Sequence, residues 1–297
     1  MAEWWSKYEG LFPGVGIFFP ESNWLSLKSI SGSALMTYRF HSEHPRGLIF
    51  SFHGLYSDSN DSAHICKRFH QDGFAVLAFD QDGHGRSGGT KGRVRSLKNY
   101  LQDSIKYIRK AKKRYPPVPI FIFGCSMGGA ICSMLALTIP EIISGVILIA
   151  PALGIAATFE PFLQRIIRFL NICCGGLRLN GIDWNIISRN LHNIEYHKES
   201  PNFYSGRMYV ETLHSFLIAL EDLQKDVNNI TVPLVAVQGT DDKAIDAEIV
   251  KNFIRDCKSS DKSLWLYEGM YHDVYHEPEI DEIIERMLEW INSHLTN

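Results

Sequence analysis

The chain has 297 residues, of which 45% are hydrophobic and 21% charged, and its formal net charge is −3. Such a chain can bury one large core, with or without an elaboration, and is not disordered. Its charge balance offers no basis for nucleic-acid binding, and the basic runs 91–95 and 110–114 read as a polar loop and a solvated helix face.

Residues 1–7 lack a charged region followed by a long apolar stretch, so no signal peptide is expected. The first 45 residues are unusually aromatic and give no clear element. The apolar runs Leu48-Ile49-Phe50-Ser51-Phe52 and Ala75-Val76-Leu77-Ala78-Phe79 predict strands covered on both faces. Leu97, Leu101, Ile105 and Ile108 then recur at helical spacing, and Pro116-Pro117 stops that helix. A strand at Ile120-Phe121-Ile122-Phe123 leads into a helix through Ala130, Met134 and Leu137, which ends at Pro140. Val146-Ile147-Leu148-Ile149-Ala150 predicts the next strand.

From about residue 151 to 229 no strand is predicted, only helical stripes such as Phe162, Ile166 and Leu170, or Leu213, Leu217 and Leu220. The βα pattern resumes with strands at 233–237 and 264–267. A helix marked by Val250, Phe253, Ile254 and Cys257 lies between them, and a helix from Ile280 to Leu295 follows. Repeated βα units predict an α/β fold with a mainly parallel, doubly wound sheet. The expected organisation is a core of 1–150 and 230–297, with 151–229 as a helical cap over the sheet's C-terminal edge. No apolar run reaches membrane-spanning length, and the expectation is a cytoplasmic protein, free or peripheral to a membrane. The six cysteines show no metal-type spacing and are expected to be reduced packing residues for the most part.

The segment Gly124-Cys125-Ser126-Met127-Gly128 carries G-x-S-x-G. That pattern is weak alone. Here it follows a predicted strand and opens a predicted helix, the setting of a nucleophile elbow, so Ser126 is the expected nucleophile. A serine needs a base. Of twelve histidines, His272 is placed for it, on the turn after the late strand, with His276 as the less favoured alternative. The base needs an acid to hold its tautomer. Asp241 and Asp242 compete after Gly239; Asp242 has the spacing to turn back over the sheet edge, Asp241 suits a turn, and Asp246 suits a helix cap. The expected oxyanion donors are the backbone N–H groups of Met127 and Leu55. His53 is read as a loop support. Asp80-Gln81-Asp82-Gly83-His84-Gly85-Arg86-Ser87 is read as a structural turn, since no P-loop spacing follows.

In order, the chain shows H-G after an early strand, D-x-x-G-H-G-x-S, G-x-S-M-G-G, Q-G-x-x-D and E-G-x-Y-H. These resemble the monoacylglycerol lipase and lysophospholipase branch of the α/β-hydrolases, from about Arg46 to the C-terminus. Matching Q-G-x-x-D onto Gln238 to Asp242 selects Asp242 as the acid. The resemblance implies an α/β-hydrolase fold and hydrolysis of monoacylglycerol to glycerol and fatty acid through an acyl-enzyme, with no metal and no organic cofactor. Two departures bear on the alcohol half of the substrate. Cys125 stands where members often carry His, and His53-Gly54-Leu55-Tyr56-Ser57-Asp58 replaces H-G-x-G-E-H. Lysophospholipase, general carboxylesterase and catalytically silent hydrolase-fold binder are the other readings; the first two share the machinery, and the third is disfavoured by an intact set of triad residues. In the cap, at least half of Phe159, Phe162, Leu163, Ile166, Ile167, Phe169 and Leu170 are expected to be buried against the sheet. The remainder would form an acyl-tunnel wall and a membrane-docking patch.

Overall fold

A computed structural model describes residues 3–154 and 161–295. Among the described residues ten strands form in chain order: β1 Glu21–Ser22, β2 Leu27–Lys28, β3 Ala34–Leu35, β4 Thr37–Phe40, β5 Leu48–Phe52, β6 Ala75–Phe79, β7 Ile120–Cys125, β8 Gly145–Ile149, β9 Leu234–Gly239 and β10 Lys262–Tyr267. The helices are α1 Ala63–Gln71, α2 Leu97–Lys112, α3 Met127–Thr138, α4 Pro161–Cys174, α5 Leu191–Glu199, α6 Val210–Asp226, α7 Ala247–Asp256 and α8 Ile280–Ser293.

Eight strands make one sheet in the order β1-β4-β6-β5-β7-β8-β9-β10. Pairing is parallel from β6 to β10, and antiparallel where β4 joins β6 and β1 joins β4. Strands β5 to β9 are buried along their whole length, as their unbroken apolar runs require. Two cores result. Helices α2, α3, α6 and α7 cover one face, through residues such as Leu97, Ile131, Leu223 and Phe253. Helices α1 and α8 cover the other, with Ile65, Phe69, Ile283, Ile284 and Met287. The α8 stripe is buried while Asp281, Glu282, Glu285 and Glu289 face solvent.

The N-terminal strands are absent from the sequence reading. Three of them are two residues long, too short to show alternation, and their partners lie elsewhere in the chain. The aromatic excess of this region has a structural use. Phe19, Tyr38 and Phe40 enter the second core, and Tyr8 and Phe12 pack edge-on against Tyr196 of α5.

Because β6 lies on one side of β5 and β7 on the other, the winding reverses between β5 and β7. The crevice beyond their C-terminal ends is where such sheets bind ligands. The described part of 151–229 consists of helices joined by irregular chain, with one isolated bridge, Arg178 to Tyr209. Helix α6 joins this segment to the core. The buried N–H groups of Val94 and Leu97 donate to Thr212 Oγ1 (3.0 Å) and Ser215 Oγ (2.7 Å), and Arg93 pairs with Glu211 (2.6 Å). Helix α4 packs on α6 and is held by Arg168 to Glu221 at 2.7 Å.

The expected burial of α4 is not found. Of its residues only Ile167 is buried, whereas Phe162 is 72% exposed and Phe169 68%. Leu163 is exposed too, Ile166 and Leu170 are half-buried, and Phe159 lies outside the described residues. A helical stripe guarantees an apolar face but not a neighbour to cover it. Replacing Thr212 with Val removes an acceptor from a buried N–H at nearly constant shape. Urea unfolding of Thr212→Val should show a loss of about 1–3 kcal/mol; an unchanged midpoint would show that α6 is not anchored by this bond.

Candidate active site

The turn from β7 into α3 is too tight for ordinary side chains. A Cβ on Gly128 would sit 1.9 Å from the carbonyl oxygen of Phe52, and one on Gly124 would sit 2.4 Å from the carbonyl carbon of Gly128. Between them Ser126 takes φ 52° and ψ −114°, a left-handed backbone that costs a serine conformational energy. Its peptide is pinned on both sides. The Ser126 N–H donates to Ile149 O at 3.0 Å, and its carbonyl accepts from Ala130 N–H (3.1 Å) and Ala152 N–H (3.0 Å). The side chain is left half-exposed in a cavity of about 460 Å³, which His272 and Leu55 also line.

His272 follows β10, and Asp242 follows β9, the adjacent parallel strand. The His272 Nδ1–H donates to Asp242 Oδ2 at 2.8 Å, leaving Nε2 as the basic nitrogen. The Asp242 side chain is fully buried. Its Oδ1 accepts from the N–H groups of Ala244 (2.8 Å) and Ile245 (2.9 Å), and its Oδ2 also accepts from Gln238 Nε2 (3.0 Å). The two loops are stitched together: Asp241 N–H donates to Met270 O (3.1 Å), and Gly269 N–H donates to Thr240 Oγ1 (2.9 Å). A Cβ on Gly239 would meet Met270 O at 2.2 Å, so this crossing demands glycine. Asp241 lies exposed in the turn, and Asp246 caps α7 by accepting from Glu248 N–H at 2.9 Å. His276 bonds through Nδ1 to Asp273 at 2.9 Å and lines a neighbouring cleft rather than the cavity of Ser126.

The loop after β5 reaches the elbow because Phe52 of β5 lies in register with Gly124 of β7. A Cβ on Gly54 would be 3.7 Å from the Cβ of Ser126, which puts the Leu55 backbone beside the serine. Met127 is the first residue of α3, so its N–H has no acceptor within the helix. His53 holds this loop. Its Nδ1–H donates to Gly54 O (2.8 Å) and its Nε2 accepts from Gln81 N–H (2.9 Å); burial lowers its pKa and keeps it neutral. Tyr56 is buried at φ 68°.

The Asp80 segment is structural, as read. Asp80 accepts from Ser59 N–H (2.8 Å), Arg86 N–H (2.7 Å) and the Tyr38 hydroxyl (2.9 Å), so the loops after β5 and β6 share one carboxylate.

Residues 43–279 match the family described as serine aminopeptidase, S33. The chain belongs to this family. This serine hydrolase is 28% identical over 251 residues to a monoacylglycerol lipase of Mycolicibacterium smegmatis, a match covering 84% of this chain and 90% of that one. To the monoglyceride lipase of Homo sapiens it is 28% identical over 254 residues, covering 84% and 83%. Among solved structures, the monoacylglycerol lipase of Paleococcus ferrophilus superposes with a TM-score of 0.79 at 27% identity, over 88% of this chain and 99% of that one. The fold is that of the α/β-hydrolases, and the chain is a serine hydrolase acting on esters.

The hydrolase's cavity wall differs from the sequence expectation. None of the described residues of α4 lines it. Ile182, Trp184, Ile187, Phe203, Met208 and Phe216 do. Most of these sit in the irregular stretch between α4 and α6, where no periodicity marks an inward face. Cys125 lines the cavity, as its place beside the serine suggested.

Asp58, in the same loop as Leu55, accepts from Asn60 N–H at 2.8 Å. Burial, then the charge of Asp80, pushes its carboxyl up to about 7 from an ordinary 3.8. The folded state therefore holds this proton more tightly than the unfolded chain. The group's favourable contribution is complete below about pH 4 and is lost as pH rises to about 7. Asp58→Asn keeps the acceptor and removes the charge. Its melting temperature should exceed that of the parent at pH 8 and match it at pH 4; equal melting at both would remove the assignment.

Proposed function

We propose that Ser126, His272 and Asp242 form a catalytic triad, with the N–H groups of Leu55 and Met127 as the oxyanion hole. The substrate is a monoacylglycerol. His272 Nε2 takes the Ser126 proton as Oγ attacks the ester carbonyl, and the two N–H groups receive the negative oxygen. Collapse of the tetrahedral intermediate breaks the bond to glycerol, whose oxygen takes the proton from His272. Water, deprotonated by the same nitrogen, then attacks the acyl-enzyme and releases the fatty acid. Asp242 holds the Nδ1–H through both steps and stabilises the imidazolium.

The observation that carries this reading is the cavity itself. A predominantly apolar space of about 460 Å³, with the serine and the histidine both on its wall, suits one acyl chain presented to one nucleophile. The relatives named monoacylglycerol and monoglyceride lipase support the choice of alcohol. Residues 151–229 serve as the cap, with the stretch from Ile182 to Phe216 shaping the acyl site.

The outer face of α4 docks on membrane. Phe162, Phe169 and Ile172, at 72%, 68% and 85% exposure, lie on a helix held only from its inner side. Among the described residues no helix is long and apolar enough to cross a membrane, so contact is interfacial.

Ser126→Ala should lower kcat by roughly 10⁵–10⁶-fold, and Asp242→Asn by roughly 10⁴-fold, with Asp241→Asn close to the parent. Activity is measured on a panel of monoacylglycerols, lysophospholipids and soluble short-chain esters; a preference for the second or third class overturns the substrate assignment. Equal losses in Asp241→Asn and Asp242→Asn would overturn the choice of acid. The triple variant Phe162→Ser, Phe169→Ser, Ile172→Ser should lose flotation with lipid vesicles while hydrolysing soluble esters at the parental rate. Failure of the unmodified protein to float with vesicles of any composition removes the docking surface.

A further inference from the structure

Asp61, His197 and His276 come from three separate segments: the short turn before α1, helix α5, and the loop after His272. One potential ligand atom of each lies within 4.8 Å of the other two. His197 Nε2 stands 3.5 Å from Asp61 Oδ1, and His276 Nε2 stands 3.8 Å from the same oxygen. That oxygen is buried and accepts no hydrogen bond from any described residue. The other carboxylate oxygen is fixed by the Ser57 hydroxyl at 2.8 Å. Behind His276, Asp273 receives the Nδ1–H at 2.9 Å and 3.0 Å.

Two imidazole nitrogens and one carboxylate oxygen are the donor set of a divalent transition metal with an open position, and His276 gives up a proton as it ligates. Bonds of about 2.0–2.1 Å place tetrahedral ligand atoms about 3.4 Å apart, close to the 3.5 and 3.8 Å separations from Asp61, and the widest pair, at most 4.8 Å, would close by rotation of the side chains. The hydrogen bond from His276 Nδ1 to Asp273 is the outer contact that fixes the tautomer and aim of a ligating histidine. Two carboxylates, Asp61 and Asp273, supply the negative charge. A cleft of about 230 Å³, lined by Asp61, His197 and His276, gives a route in from the surface.

We propose that Asp61, His197 and His276 bind a divalent transition-metal ion of the zinc class, with Asp273 as the positioning residue. Asp61 and His197 also line the Ser126 cavity, so a bound ion forms part of its wall, and it ties helix α5 to the sheet domain. The site is separate from the ester chemistry, which needs no metal.

The test is a titration of the metal-stripped full chain with Zn²⁺ and with Co²⁺, followed by calorimetry, by the visible spectrum of the cobalt form and by thermal melting. One ion per chain should bind with a Kd of about 1 µM or below, and zinc should raise the melting temperature, because only the folded chain assembles the site. Asp61→Asn and His197→Gln should each abolish the cobalt spectrum. Asp273→Asn, which keeps all three ligands, should weaken binding by about 10–100-fold. The exposed pair Cys173 and Cys174 is the competing site, so Cys173→Ser, Cys174→Ser should bind as the parent does. Circular dichroism establishes folding of each variant; His197 is on the surface-facing helix α5, and His197→Gln decides the matter if Asp61→Asn does not fold. The proposal is overturned by absence of one-to-one binding, by binding that survives His197→Gln, or by binding that disappears with the two cysteines.

Discussion

The carbonyl of Phe52 and the α-carbon of Gly128 are packed so closely that no side chain fits between them. That contact joins the end of β5 to the start of α3, across the line where the sheet reverses its winding. It fixes the tightness of the turn at Ser126 and forces the serine into a left-handed backbone. It also sets the loop after β5 directly against the elbow. The strain on one residue is balanced by the hydrogen bonds around it and by two cores that bury both faces of the strands. Ser126 and both expected oxyanion donors inherit their relative positions from this one approach of backbone to backbone.

A second layer of buried polar contacts holds what the elbow does not. His53 and Asp80 take no place on the cavity wall, yet each bonds the loop beside Ser126 to the loop after β6. Both are buried and partnered, as buried polar groups must be. Their place in the sequence, directly after strands and among glycines, made them legible as supports. The same local logic made Ser126, Asp242 and His272 legible: each follows a strand whose apolar run is unmistakable, and each lies in a short motif whose glycines answer a specific close approach.

Features spread over distant segments were not legible. The edge strands before residue 45 are too short to carry a pattern of their own. The cavity wall from Ile182 to Phe216 has no period, because an irregular chain turns its side chains inward one at a time. Helix α4 shows the converse: its stripe was plain, but a stripe does not say whether protein, lipid or water faces it. The cluster of Asp61, His197 and His276 spans more than two hundred positions, and only the closure of the sheet brings its atoms together.

The loops that carry Asp242 and His272 are bonded directly to each other. Three backbone or hydroxyl bonds and the glycine crossing at Gly239 make them one rigid body, seated on two neighbouring parallel strands. The helical segment meets the stretch after His272 through the N–H of Asp273 on Ile187 O, through Asn193 on Asp273, and through Arg189 on Glu277 and Glu279. The cavity wall and the His272–Asp242 pair are therefore carried by different parts of the chain. The residues that shape the wall from Ile182 to Phe216 can therefore be exchanged without touching the two loops that carry Asp242 and His272.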